Sequence, residues 1–267
     1  MNNIAILPLI VDLIGSFFRS SRDALERSRC AQTNNNIQEP TGLNIFPHCH
    51  AETQAAIESI VFSFLTIEAT INYIFFNEQQ NRLLKGLEKW LQQKWKRNLS
   101  VYDRFLLLVN QYSTASLDDF QHLSSLFAEF ISFRNRIVHA MPEQYDALVE
   151  PSSIENEVLV HDVEPLQNRE QFPISRLSGE IGRINCEDAK RSFEIMILVI
   201  CFLDEQFIAE FEFPWVGSKG EQKYMRPRDI VTSMPIRFYP KLRVEQFVPE
   251  HIKKIKNAQQ VNQGDGE

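Results

Sequence analysis

The chain has 267 residues, 43% of them hydrophobic and only 9 of them glycine, which favours a compact, helix-rich globule with a sizeable core and excludes a repetitive or disordered protein. A formal charge of −7 excludes a surface coated in basic residues, so a nucleic acid would have to be met by a local patch rather than by the overall field. The cysteines Cys30, Cys49, Cys186 and Cys201 show no paired ligand spacing and point to a reduced, cytoplasmic protein; His48-Cys49-His50 with Cys30 makes a poor zinc site, because adjacent ligands point apart, and no metal is expected.

The apolar run Ile4 to Phe18 contains Pro8 and Asp12, lacks a basic leader and falls short of the ~20 residues that span a bilayer, so no membrane association is expected. Leu7, Ile10, Val11, Ile14, Phe17 and Phe18 recur at helical spacing and predict a helix that packs on the main body or on a partner. Thr33 to Pro47 turns polar and turn-forming and reads as a linker. A long helix follows from about Ala51 to Asn77, with Ile57, Ile60, Val61, Phe64, Ile67, Ile71 and Phe75 on or near one face. Glu68 interrupts that face. A carboxylate there must meet a cation or reach solvent, and Asn72, one turn on, extends the same polar track.

Gln79 to Trp95 repeats leucine and tryptophan at spacings of three and four, while Lys89, Lys94, Lys96 and Arg97 with Trp90 make up much of the densest positive stretch. Such a face is either a candidate platform for single-stranded RNA or a solvated helix side with its tryptophans in the core. Val101 to Tyr112 reads as a shorter helix. Ser116 and Asp119 resemble an N-cap and its carboxylate, opening a helix whose stripe is Phe120, Leu123, Phe127, Phe130, Ile131 and Ile137 and which Pro142 stops.

From 143 to 176 helical periodicity fails, and Val158 to Val163 has the β-branched character of a short strand or hairpin. Asn185 followed by Asp188 predicts a second N-cap and a helix to Phe207-Ile208. Its run from Ile195 to Leu203 is apolar all round, as at a bundle centre or a dimer interface. Beyond Phe211, the prolines and aromatics suggest an extended or partly β appendage, and disorder is expected from Ala258 onward. The predicted organisation is a helical region over 51–210 with an insertion at 143–176, preceded by a helix and linker over 1–50 and followed by an extension over 211–267.

The chemistry concentrates in Phe133-Arg134-Asn135-Arg136-Ile137-Val138-His139-Ala140. On a helix Asn135 and His139 share a face, and the long side chain of Arg134 can swing towards them. A guanidinium can hold a phosphate by two parallel hydrogen bonds, and an imidazole can exchange a proton near neutral pH. Together they suit cleavage of RNA without a metal, with the ribose 2′-hydroxyl as nucleophile. The plainer alternative is that arginine and histidine cap the helix end and answer its dipole.

Arg134-Asn135, the apolar pair Ile137-Val138 and His139, at the end of a long helix in a mostly helical chain, resemble the HEPN superfamily (higher eukaryotes and prokaryotes nucleotide-binding). The resemblance implies an all-α, up-and-down bundle that dimerises and brings two copies of the motif together. In many members it also implies a metal-independent endoribonuclease needing no cofactor. It makes Arg134, Asn135 and His139 the catalytic candidates, with Glu68 and Asn72 as candidate supports that orient Arg134 or His139. Expected partners are RNA, a second copy of the chain, and, in a toxin or defence setting, a cognate antitoxin. Some members do not cleave, which keeps open a dimerisation or nucleotide-binding module, including the partner subunit of a nucleotidyltransferase.

Overall fold

A computed structural model of the chain describes residues 6–35, 47–80, 99–112, 117–139, 154–155, 158–159, 171–179, 181, 184–207, 212–216, 222–233, 237–239 and 242. The described residues are mostly helical: α1 (Ile6–Asn35), α2 (Pro47–Gln80), α3 (Val101–Tyr112), α4 (Leu117–Val138), α5 (Cys186–Phe207) and the short α6 (Pro227–Ser233). Two small antiparallel ribbons accompany them. Strands β1 (Ile154–Glu155) and β2 (Val158–Leu159) form a hairpin within the stretch that lacks helical periodicity, and β3 (Phe213–Val216) pairs with β4 (Gln222–Met225) in the register Phe213↔Met225.

Local chemistry explains where the helices begin. Before α3, Ser100 Oγ accepts the Asp103 N–H at 3.1 Å while Asp103 Oδ2 accepts the Ser100 N–H at 3.3 Å, a reciprocal capping box. The predicted cap before α5 has the same form. Asn185 Oδ1 accepts the N–H groups of Glu187 and Asp188 at 2.9 and 3.3 Å, and Asp188 Oδ2 accepts the Asn185 N–H at 3.2 Å. The Ser116 cap lies outside the described residues, as do most of the Gln79–Trp95 segment and the tail from Ala258.

The chain divides into two compact units, one made of Met1–Phe18, Leu65–Ala128 and Glu194–Glu267, the other of Arg19–Phe64 and Glu129–Phe193. Their limits fall inside α1, α2, α4 and α5 rather than in the polar linkers. Composition marks where a chain turns, whereas a long helix can serve two cores along its length.

The first unit is built on aromatic side chains. Phe105 meets Phe127 edge to face at 5.1 Å and Phe202 at 6.1 Å, and Phe18 lies 4.6 Å from Phe213. Every residue from Ile195 to Leu203 is buried, so this apolar stretch of α5 is a centre that the chain itself covers. At the far end of α5, Asp204 is fully buried and accepts from Arg226 at 3.0 Å; Glu194 accepts the N–H groups of Arg237 and Phe238 at 3.1 and 3.0 Å. Carboxylates on α5 thus tie down the segment that follows β4.

The second unit packs α1 and α2 through small side chains. Ser21 Oγ reaches the Ser59 carbonyl at 3.0 Å and Ser63 Oγ at 2.7 Å, and Ala24, Ala55 and Ala56 are buried around them. Thr53 Oγ1 donates to the Ile184 carbonyl at 3.1 Å and Glu52 Oε1 accepts the Cys186 N–H at 3.0 Å, joining the start of α2 to the start of α5. Among the described residues one helical stretch, Ala51–Phe75, is long and apolar enough to cross a membrane by length and composition, and 56% of its most apolar window is buried inside the structure.

Candidate functional site

The last turns of α4 carry the motif, and their placement follows from the apolar stripe upstream. Phe130 and Phe133 are buried, which fixes how the helix end lies against its unit. Phe130 meets the ring of Phe64 from α2 edge to face at 6.2 Å. Arg134 follows Phe130 by one turn and therefore projects to the same side, where its guanidinium carbon sits 4.6 Å from the centroid of Phe64.

The guanidinium is held at a second point. Nη1 of Arg134 donates to Asn135 Oδ1 at 3.1 Å, so the cation and the amide of the motif are joined directly. Nε of Arg134 is buried and, among the described residues, donates to no acceptor. Desolvation of that donor costs about 1–3 kcal/mol, of the same order as what the stack on Phe64 returns.

Asn135, Val138 and His139 are exposed. The His139 N–H donates to the Asn135 carbonyl at 2.9 Å, which carries the α-helical turn through the histidine and leaves Asn135 and His139 on one face, as the spacing requires. Among the described residues no hydrogen bond joins the His139 ring to Arg134 or Asn135. The helix end therefore offers an anchored cation, an exposed amide bonded to it and an exposed imidazole one turn away.

The candidate supports Glu68 and Asn72 have partners of their own. Both belong to the other compact unit and meet Arg104 of α3: Asn72 Oδ1 accepts from Arg104 Nη1 at 2.8 Å, and Glu68 Oε1 lies 3.8 Å from the same nitrogen. The carboxylate on the apolar face meets a cation, and within its unit that cation is Arg104. Lys89, Trp90, Lys94, Lys96 and Arg97 lie outside the described residues. Among the described residues no cluster of three or more His, Cys, Asp or Glu is arranged to hold a metal ion.

Three residues around the motif carry contacts that the sequence reading did not assign. Phe64 is the platform under Arg134. Glu129 accepts the N–H groups of Ile174 and Ser175 at 3.1 and 2.7 Å, and Arg136 lies 5.1 Å from the Phe172 ring centroid while its Nη1 donates to the Gly179 carbonyl. The signal for Glu129 and Arg136 was present in the spacing 129, 133, 136, which with Phe133 is one helical face, but both are charged and an apolar stripe does not count them. Compared with family models, curated proteins and solved structures, the chain matches none.

Proposed function

We propose that the chain is a metal-independent endoribonuclease of HEPN type, an up-and-down helical bundle that acts as a homodimer with two copies of the motif in one cleft. The 2′-hydroxyl attacks the adjacent phosphorus as one His139 removes its proton. Arg134 binds the non-bridging oxygens as charge builds on them, and the 5′-oxygen leaves with a proton from the second His139. The products are a 2′,3′-cyclic phosphate and a 5′-hydroxyl. Asn135 holds the guanidinium in register with the histidine. Two copies are needed because one motif supplies too few groups to activate nucleophile, phosphate and leaving group together.

The observation that carries this reading is the state of Arg134. Its guanidinium is stacked on Phe64 and bonded to Asn135, yet it keeps a buried Nε–H with no acceptor among the described residues. A side chain kept only for packing gains nothing from that donor, since an apolar residue of similar length would fill the space without the penalty. Sites of function are where such costs are retained.

The test is incubation of wild-type, Arg134→Met and His139→Ala protein with mixed RNA in EDTA, with end-group analysis, alongside urea unfolding of each. The expected result is cleavage by the wild type alone and an Arg134→Met stability within about 1 kcal/mol of wild type, because the lost stack and the removed unsatisfied donor roughly cancel. An Arg134→Met protein that cleaves normally but has lost about 2 kcal/mol or more would make Arg134 a packing residue and the chain a non-cleaving module.

A further inference from the structure

The motif occupies a helix end, where fraying is the default. One face of that end is covered by the irregular loop 171–179. The loop closes on itself: the Phe172 N–H donates to the Leu177 carbonyl at 3.0 Å, the Arg176 N–H to the Phe172 carbonyl at 2.9 Å, and Gln171 bridges Ser178. Arg176 has a φ of 58°, a conformation that a non-glycine residue adopts only where its surroundings enforce it.

Three side chains of α4 enforce it. Glu129 holds the loop tip through the Ile174 and Ser175 N–H groups, Phe133 meets Phe172 edge to face at 6.2 Å, and Arg136 covers the Phe172 ring and donates to the Gly179 carbonyl. Arg136 stands between Asn135 and His139 in sequence, so whatever fixes Arg136 fixes the backbone turn that carries both.

We propose that Arg136 is a positioning residue of the motif: by clamping loop 171–179 it keeps the final turn of α4 wound and holds Arg134, Asn135 and His139 in register, a role in cleavage that rests on the nuclease reading above. The clamp needs a flat cation. A guanidinium can lie over a ring and donate in its own plane to a carbonyl, whereas a lysine can reach the carbonyl but not stack with equal area.

The experiment uses the full chain as wild type, Arg136→Met, Arg136→Lys and Phe172→Leu, the last attacking the same contact from the loop. Amide hydrogen exchange is followed in the stretches 134–139 and 171–179, and kcat and KM are measured on an RNA that the wild type cuts. In Arg136→Met and Phe172→Leu, exchange in both stretches should rise roughly tenfold or more while α5 stays protected. In both, kcat should fall by about tenfold or more with KM within about twofold, and Arg136→Lys should lie between them and wild type. Unchanged exchange overturns the clamp whether or not RNA is cut. A loss of kcat without faster exchange also overturns it, since Arg136 would then act on the substrate directly. Wild-type protein that leaves RNA intact, with exchange still responding to Arg136, takes down the nuclease reading and with it the role in cleavage, and keeps only the clamp.

Discussion

Removing the guanidinium of Arg226 should destabilise the protein by about 3 kcal/mol, through the carboxylate it leaves behind rather than through the bond it breaks. Asp204 is fully buried on the last turns of α5, and Arg226 Nη2 lies 3.0 Å from its Oδ2 with 42% of the arginine side chain exposed. The pair is asymmetric: the cation can return to water, but the carboxylate cannot. Breaking a buried pair costs about 3–5 kcal/mol, and the exposed side of Arg226, through which water can approach, places this one at the lower end. In a chain of this size about 3 kcal/mol corresponds to a fall in melting temperature of roughly 6–12 °C. Urea unfolding of Arg226→Met, Asp204→Asn and the double variant measures the coupling. The carboxylate argument requires Arg226→Met to be the worst of the three and Asp204→Asn to recover part of the loss in the double variant. An Arg226→Met protein within about 0.5 kcal/mol of wild type would refute it.

Three further outcomes follow from caps and burial. Ser100→Ala and Asn185→Ala each remove a cap that bonds a helix's first N–H groups, and each should cost about 1 kcal/mol in chemical denaturation, with losses adding in the double variant. Burial pushes the Cys201 thiol well above its ordinary value, with Glu205 and Asp204 adding to the effect, and burial likewise raises Cys186, whereas Cys30 is exposed. Alkylation at neutral pH should therefore label Cys30 and spare Cys186 and Cys201 until denaturant is added. A raised folded pKa means that the native state holds its proton more tightly, so this contribution is intact below the ordinary thiol range near about 8.5 and is lost as pH climbs towards the raised value. Cys201→Ala should accordingly flatten the decline of stability on the alkaline side.

What the sequence made legible was whatever depends on neighbours in the chain. The caps at Asn185 and the periodicity of Val101–Tyr112 need only residues a few positions apart, and both elements stand where those residues put them. The second half of α1 was not legible. Its buried positions are Ser21, Ala24, Leu25 and Ser28, and the hydroxyls are satisfied by Ser59, Ser63 and the Glu52 carbonyl across a close helix pair. A scale that weighs apolar residues cannot find an interface made by backbones approaching each other. Glu68 shows a second kind of limit, since its place on an apolar face called for a cation or solvent, but the choice of Arg104 depended on tertiary packing.

The carboxylates of Glu52, Glu129, Asp188 and Glu194 show a third limit, because each takes N–H groups from an irregular segment or a helix start, and a backbone donor carries no residue signature. The motif sits where these limits meet. Its residues could be named from the sequence, but the two contacts that hold them, Phe64 under Arg134 and loop 171–179 against Arg136, come from positions that no spacing rule connects to them. A motif at a helix end therefore establishes which groups are present, while their placement rests on contacts with Phe64 and with loop 171–179 that lie far away in the chain.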